Sequence, residues 1–163
     1  MGYIEELRKI IGHRCISLTG SVVIIKDGEG RILLQKRTHP KGRWGLPGGL
    51  MELGESCEET AVREVREETS LETDVNGLKL FGVYSGKDYF CTGETGDEWY
   101  VVVIAYTCDK FSGEPKINDG ESEELRWFYP DKIPESLANS HRRIIWDYIG
   151  KQRNYDLPAQ RES

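Results

Sequence analysis

The sequence predicts an α/β domain in which a mixed sheet packs between helices. Apolar runs with strand-like composition occur on both sides of a helix that has a clear start signal. A second helical stretch with an apolar stripe lies near the end of the chain. Because no internal repeat or low-complexity linker divides the 163 residues, we expect a single domain covering 1–163.

The first predicted elements are two strands, Ser21–Lys26 and Arg31–Arg37. The turn signal Asp27-Gly28-Glu29-Gly30 separates them, so they are expected to form a β-hairpin. Three further strands are predicted, at Leu78–Ser85, Glu98–Thr107 and Leu125–Phe128.

The central helix is predicted from a capping box, in which Ser56 is followed three residues later by Glu59. Its packed side should consist of Ala61, Val62, Val65 and Thr69, which recur at helical spacing. A last helix is predicted at about Leu137–Gly150, with an apolar stripe of Ile144, Ile145, Tyr148 and Ile149. The polar tail, about 151–163, is expected to fray.

Composition excludes several classes of protein. The longest apolar stretch, Tyr100–Tyr106, is far shorter than the roughly 18 residues of a membrane span. No secretory signal is visible at the N-terminus, and none of the four cysteines stands in a C-x-x-C pair, so we expect a cytoplasmic protein with reduced thiols. The net charge of −6 argues against a long nucleic-acid tract as partner. A small phosphorylated ligand stays open, because a divalent cation can offset local negative charge.

The most informative stretch is Arg63-Glu64-Val65-Arg66-Glu67-Glu68. At about 100° per residue, its three glutamates share one arc of the helix, beside the packed side. Carboxylate oxygens are the ligands that Mg²⁺ prefers. Taken alone, however, the stretch favours an ordinary solvated face, in which Arg63 pairs with Glu59 and Glu67.

The sequence around this stretch favours a metal-binding role over a solvated face. Gly49 is followed after five residues by Glu55, after seven more by the stretch Arg63–Glu68, and then by Leu71. This pattern over Gly49–Leu71 resembles the Nudix box of the Nudix (MutT-type) hydrolase family. The flanking segments Leu33–Arg37 and Trp44–Gly49 are similar to those of the family as well. Ser70 departs from the pattern, which has glycine there, and should strain the backbone if it is left-handed.

The resemblance implies a Nudix-type α/β/α sandwich with a mixed sheet. It also implies a metal-dependent hydrolase, with Mg²⁺ or alternatively Mn²⁺, that cleaves the diphosphate linkage of a nucleoside diphosphate derivative. The implied metal ligands are Glu64, Glu67 and Glu68, with the backbone carbonyl of Gly49 as a further one. Glu55 and Arg63 are implied as a pair that braces the loop against the helix.

Other roles are more open. The general base is either Glu64 or a carboxylate of a later loop, where Glu121 is favoured and Glu124 is second. Arg37, Lys41 and Arg43 are candidates for contacting substrate phosphates, with Arg37 preferred because it ends a strand next to the box loop.

Five aromatic residues are candidates for a platform that stacks on the base, although most of such a set is usually core: Tyr84, Tyr89, Phe90, Trp99 and Tyr100. Tyr89 is preferred, because dinucleoside polyphosphate hydrolases of the family tend to carry a tyrosine thereabouts. The proline that ADP-ribose-cleaving members tend to carry in this region is missing. The three histidines, His13, His39 and His141, are assigned no role. The candidate substrates are dinucleoside polyphosphates, nucleoside triphosphates, ADP-ribose and nucleotide sugars.

A second hypothesis is a Nudix-fold module that binds or senses a nucleotide without turnover, although all the acidic positions of the box are filled. A third is an isomerase of prenyl diphosphates, for which only Cys57 and Cys91 give room. A homodimer is left open by the sequence.

Overall fold

The computed structural model of the protein describes residues 2–118 and 120–155, with the side chains of 153–155 left out. Within that part of the chain the helices are α1 (Tyr3–Ile11), α2 (Cys57–Thr69) and α3 (Asn139–Tyr155). The strands are β1 (Ile16–Ile25), β2 (Ile32–Arg37), β3 (Trp44–Gly45), β4 (Gly48–Leu50), β5 (Leu78–Tyr84), β6 (Phe90–Thr92), β7 (Glu98–Cys108) and β8 (Ser122–Phe128).

The strands form two sheets. The larger sheet has the order β4-β1-β7-β5, with β6 pairing to β7, and the smaller sheet has the order β3-β2-β8. Strands β1 and β7 run parallel over ten residue pairs, from Ile16–Trp99 to Ile25–Cys108. All the other strand pairs are antiparallel, so the larger sheet is mixed, as predicted.

Strand β1 is apolar on both faces because a helix covers each of them. Val22 and Ile24 pack in one cluster with Ile144 and Ile145 of α3. The alternate residues Val23 and Ile25 pack in a second cluster with Ala61 and Val65 of α2. A strand buried on both sides reads as a near-continuous apolar run. The α/β/α sandwich predicted from the sequence is therefore confirmed.

The predicted β-hairpin is wrong. The turn at 27–30 is present, and the Asp27 carboxylate accepts hydrogen bonds from the N–H groups of Glu29 and Arg31. The two strands then separate into different sheets and share only a bridge between Lys26 and Ile32. The reason is that β4 and β7 already occupy the two edges of β1, so β2 pairs with β3 and β8 instead.

The other predicted elements are present with small shifts of boundary. Helix α3 continues through Tyr155, so the start of the predicted polar tail is helical, and 156–163 lies outside the described residues. Helix α1 and the short strands β3, β4 and β6 were not predicted. Helix α1 has no side-chain N-cap and is held from outside, since Arg8 donates to the carbonyl of Glu98 at 3.0 Å. Among the helices in the described part of the chain, none is long and apolar enough to cross a membrane.

Helix α2 begins and ends as its sequence predicts. The Ser56–Glu59 capping box is complete at its start. At its end Ser70 adopts the left-handed conformation, with φ 60° and ψ 11°. That backbone is strained for a residue with a side chain, although the Ser70 hydroxyl donates to the carbonyl of Lys116 at 3.1 Å.

We expect Ser70→Gly to raise the free energy of unfolding by about 0.5–1 kcal/mol, because glycine adopts this conformation without strain. Urea denaturation measures the change. Ser56→Gly is the matched control, since the same substitution at the N-cap removes a used side chain and should lower the stability. A loss of stability in Ser70→Gly would show that the hydrogen bond to Lys116 outweighs the strain.

Candidate active site

Two glycines bring strand β4 into contact with both β1 and α2. Gly48 has φ 148°, and a Cβ built there would lie 2.6 Å from the Cα of Val22. A Cβ at Gly49 would overlap the carboxylate of Glu64. The absence of side chains at both positions therefore lets the acidic face of α2 lie directly against the backbone of β4.

The three glutamates on that face differ in burial. Glu68 is 4% exposed, the side chain of Glu64 is 14% exposed and that of Glu67 is 51% exposed. The arc predicted from helical spacing thus runs from the interior at Glu68 to solvent at Glu67.

Glu68 is held from both sides. One carboxylate oxygen accepts from the N–H of Gly48 at 2.7 Å, and the other accepts from Nε2 of Gln35 at 3.1 Å. The amide oxygen of Gln35 in turn accepts from the hydroxyl of Ser122 at 2.8 Å. Burial raises the pKa of Glu68 to about 8, and the nearby Arg37 guanidinium opposes that rise.

Arg63 connects the other carboxylates. Its Nε and Nη2 contact the two oxygens of Glu55 at 2.5 and 2.9 Å, and Nη2 also donates to the carbonyl of Leu50 at 3.1 Å. Its Nη1 contacts both Glu64 at 2.6 Å and Glu67 at 3.2 Å. The predicted Glu55–Arg63 pair is thus present, and it ties the loop after β4 to α2.

The environment shifts the pKa values of these acids in opposite directions. The hydrogen bonds from Arg63 lower the pKa of Glu55 to about 2. Burial raises the pKa of Glu64, and Arg63 opposes the rise. Hard carboxylate oxygens suit a divalent cation chemically. In the described part of the chain, however, no three His, Cys, Asp or Glu side chains are grouped as a ready-made metal site.

A cleft of about 560 Å³ begins where β4 meets α2. Its near end is formed by Gly48 and Gly49, and its walls come from β1, the residues around the end of β2, β6, β7 and the start of α3. Apolar side chains of β1 and β7, among them Val22, Trp99 and Val101, line it together with the polar side chains of Arg37 and His141. The cleft therefore combines apolar walls with a few polar groups, as ligand sites commonly do.

Arg37 supplies a cation to the wall of the cleft. Its Nε donates to the carbonyl of His39 at 3.2 Å, and among the described residues its two terminal nitrogens have no partner. It lines the cleft, and its charge acts on Glu68 on one side and on Cys91 and His141 on the other. Arg43 also lines the cleft, whereas Lys41 is exposed and does not.

Of the two later acids, Glu121 lies nearer to the helix carboxylates. Its backbone carbonyl accepts from the N–H and the hydroxyl of Thr38, at 2.9 and 3.0 Å, and its charge helps to raise the pKa of Glu64. Glu124 instead forms an ion pair with Arg126.

The prediction of a substrate contact for Tyr89 needs correction. Tyr89 is 5% exposed and belongs to the core cluster under α3, with its ring 6.2 Å from that of Tyr84. Burial of the ring in the core removes it from the cleft. Of the five aromatic residues predicted for stacking, Trp99 lines the cleft with its ring on the face that packs toward α3. The ring of Phe90 instead packs on that of Tyr100, with centroids 5.3 Å apart.

Residues 18–148 match the family model of the NUDIX domain. The chain belongs to the Nudix family. The prediction made from the Gly49–Leu71 pattern is thereby confirmed.

Similar Nudix proteins carry different activities in their names. An ADP-ribose pyrophosphatase of Methanocaldococcus jannaschii is 36% identical over 84% of this chain and 74% of its own length. An oxidized purine nucleoside triphosphate hydrolase of Danio rerio is 32% identical over 71% of this chain and 67% of its own. The crystal structure of a MutT NUDIX hydrolase from Burkholderia pseudomallei is 31% identical, with a TM-score of 0.67, over 80% of this chain and 96% of that one.

His141 of this Nudix protein is a cleft residue to which the sequence assigned no role. It is 6% exposed and lines the cleft. A signal was present, because His141 precedes Ile144, Ile145 and Tyr148 by three, four and seven residues and so falls on the packed stripe of α3.

The Glu55–Arg63 pair predicts a dependence of stability on pH. The folded-state pKa of Glu55 lies near 2, below the usual 4.5, so its contribution is present above pH 4.5 and is lost as the pH falls toward 2. We expect Glu55→Gln to lower the free energy of unfolding by about 1 kcal/mol at pH 7, allowing for solvent screening, and by much less at pH 3.

Urea denaturation at pH 7 and at pH 3 measures this difference. Glu135→Gln is the control, because it removes one charge at an exposed site. If Glu55→Gln and the wild type differed by the same amount at both pH values, the ion pair would not be the cause.

Proposed function

We propose that this Nudix protein is a divalent-cation-dependent hydrolase that cleaves the diphosphate linkage of a purine nucleoside diphosphate derivative. One observation carries the proposal. The cleft is lined by Gly48 and Gly49, which lie against Glu68 and Glu64 of α2. It is also lined by Arg37, whose terminal nitrogens have no partner among the described residues, and by apolar side chains such as Trp99 and Val101. Such a site suits a ligand that carries both phosphates and a ring system.

Glu64, Glu67 and Glu68 would hold the cation, with the carbonyl of Gly49 as a further ligand. When bound, the cation supplies charge neutralisation at the phosphates and acidifies the attacking water. Nη1 of Arg63 now contacts both Glu64 and Glu67, so these contacts would give way to the cation while the Glu55 contacts remain.

The remaining steps belong to side chains of the protein. Arg37 binds phosphate oxygens through its terminal nitrogens, which form a fork suited to them. Glu64 or Glu121 accepts the proton of the attacking water. The water oxygen bonds to phosphorus, the bridging P–O bond breaks, and the electron pair leaves with the departing phosphate group.

The substrate class is inferred from the names of the relatives and from the cleft. ADP-ribose and oxidised purine nucleoside triphosphates, after which two relatives are named, share a purine and a diphosphate linkage. The cleft of about 560 Å³ falls in the range of small-ligand sites. Dinucleoside polyphosphates lose their support, because it rested on Tyr89, which is buried in the core.

Binding without turnover is the second candidate. It is favoured by the state of Glu68, whose two oxygens both accept hydrogen bonds from the protein. A carboxylate engaged in this way has less freedom to hold a cation than a solvated one.

The deciding measurement is the release of nucleoside monophosphate or phosphate from a panel of nucleotides, with Mg²⁺, with Mn²⁺ and with neither. The panel contains ADP-ribose, ordinary and 8-oxo purine nucleoside triphosphates, nucleotide sugars and dinucleoside polyphosphates. We expect cation-dependent turnover of a purine compound. In Glu67→Gln/Glu68→Gln that turnover should fall by at least about 100-fold, since even groups that only orient metal ligands cost 10–100-fold.

Glu58→Gln is the matched control on the same helix, because glutamine keeps an acceptor for the hydroxyl of Tyr106. Unchanged turnover in the double variant would refute the assignment of the metal ligands. Tight binding of one nucleotide by the wild type without turnover of any compound would establish the binding module instead.

Arg37 offers a separate prediction. Arg37→Ala should lower kcat/KM by about 10- to 100-fold, because a charged hydrogen-bonding fork at the phosphates is lost. Lys41→Ala, which removes an exposed cation from the same loop region, should change kcat/KM little. Equal effects of the two substitutions would mean that the positive charge of the loop as a whole, and not a direct contact from Arg37, assists the reaction.

A further inference from the structure

His141 is fixed in the first turn of α3 by contacts with strand β3. The N–H of Ala138 donates to the carbonyl of Trp44 at 2.8 Å, and the N–H of Trp44 donates to the carbonyl of Ser136 at 2.8 Å. The His141 side chain is 6% exposed and lines the cleft. Its backbone and its ring are therefore held in place before any ligand binds.

The tautomer of the ring follows from one hydrogen bond. The N–H of Leu46 donates to Nδ1 of His141 at 2.9 Å. Because a donor cannot face a second donor, Nδ1 carries no proton, and the proton of the neutral ring is on Nε2. Burial, aided by the charge of Arg37, lowers the pKa of His141 to about 3, so the ring is neutral at physiological pH.

Gly45 allows this arrangement. A Cβ built on Gly45 would lie 2.7 Å from Nδ1 of His141 and 3.6 Å from Cδ of Arg37. The side chains of His141 and Arg37 therefore pass over the same glycine, and the neutral ring lies close to the side chain of Arg37.

The Nε2–H of His141 has no hydrogen-bond partner among the described residues, since the contact with Leu46 uses the other nitrogen. Nδ1 faces the backbone after β3, so Nε2, on the opposite side of the ring, is directed away from it and into the cleft. Nε2 is not among the fully buried, unpartnered side-chain atoms of the described residues, so it is open to the cleft. The donor is therefore available to a group that arrives with the ligand.

We propose that His141 recognises the nucleobase of the substrate, with Nε2–H donating to a carbonyl oxygen or ring nitrogen of the base. This inference rests on the proposed function for the identity of the ligand as a nucleotide. A base is favoured over a phosphate for two reasons. The ring is a neutral donor next to a cation better suited to phosphate, and the indole of Trp99, which lines the same cleft, can stack on a base.

Two substitutions separate the two nitrogens of the ring. In His141→Asn, the amide oxygen can replace Nδ1 as acceptor for Leu46, while no donor reaches the position of Nε2. In His141→Gln, the longer amide can place a donor near Nε2, while the acceptor for Leu46 is lost. Recognition of a base and a purely structural role thus predict opposite orders for the two variants.

The probes are AMP, GMP and ribose 5-phosphate, and the measurement is the dissociation constant of each by calorimetry. His141→Asn should weaken the nucleoside monophosphate that the wild type prefers by about 5- to 10-fold, the loss expected for one hydrogen bond, and leave ribose 5-phosphate unchanged. His141→Gln should retain most of the preference for that monophosphate. The melting temperature should fall more in His141→Gln than in His141→Asn, because only the former leaves Leu46 without an acceptor.

Three results would overturn the inference. The first is wild-type affinity of His141→Asn for both monophosphates. The second is an equal loss for ribose 5-phosphate, which would place the contact at the phosphate. The third is a wild type that prefers neither monophosphate to ribose 5-phosphate. Because these are binding measurements, a failure of turnover across the nucleotide panel would overturn the proposed hydrolysis without deciding the role of His141.

Discussion

Burial of the Glu68 carboxylate between α2 and β4 is the constraint on which the rest of the site depends. A buried carboxylate is costly unless its oxygens accept hydrogen bonds. Gly48 supplies one of them through its N–H, with a backbone conformation and a close approach to β1 that exclude a side chain. Gln35 of β2 supplies the other, and Ser122 of β8 fixes Gln35. One acid thereby connects α2 with both sheets and with the start of β8, next to Glu121.

The balance of charge among the side chains around Glu68 is the next feature of the site. Four carboxylates, those of Glu55, Glu64, Glu67 and Glu68, face two guanidinium groups, Arg63 and Arg37. Arg63 binds Glu55 in a bidentate arrangement through Nε and Nη2. Its third nitrogen, Nη1, contacts both Glu64 and Glu67. Burial raises the pKa of Glu64 and Glu68, and the charges of neighbouring carboxylates add to that rise. A bound cation would offset this surplus of negative charge.

Local signals in the sequence were sufficient for α2. The capping box is complete, and Ala61, Val65 and Thr69 are buried as predicted, because these are properties of neighbouring residues. Val62, predicted for the same packed side, is only partly buried. The hairpin failed because strand pairing is decided at long range. The turn at 27–30 indicates a reversal of the chain, but it contains no information that β4 and β7 take both edges of β1.

The difference between local and long-range information also explains which parts of the site could be predicted from the sequence. The acidic helix and the loop before it come from one continuous motif next to Arg37, and the resemblance of that motif to the Nudix box identified this part of the site. The other walls of the cleft are assembled from β6, β7 and α3, which are separated along the chain, and their residues have ordinary sequence surroundings. Tyr89 and Phe90 are adjacent in sequence, yet Tyr89 is buried in the core cluster that includes α3, whereas Phe90 is exposed and packs on Tyr100. Only the fold decides between them.

This division gives a physical reason why Nudix relatives can share the motif and be named for different compounds. The hydrogen bonds that satisfy Glu68 and Arg63 come from β2, β4, β8 and α2, and none of them comes from β6, β7 or α3. Side chains of β6, β7 and α3 that line the cleft can therefore change without leaving a carboxylate of the acidic helix unsatisfied. Arg37 is the exception, because it acts on Glu68 and on His141 together. A substitution of Arg37 affects the surroundings of both Glu68 and His141. We therefore expect position 37 to tolerate less change than the apolar residues of β7 that line the cleft.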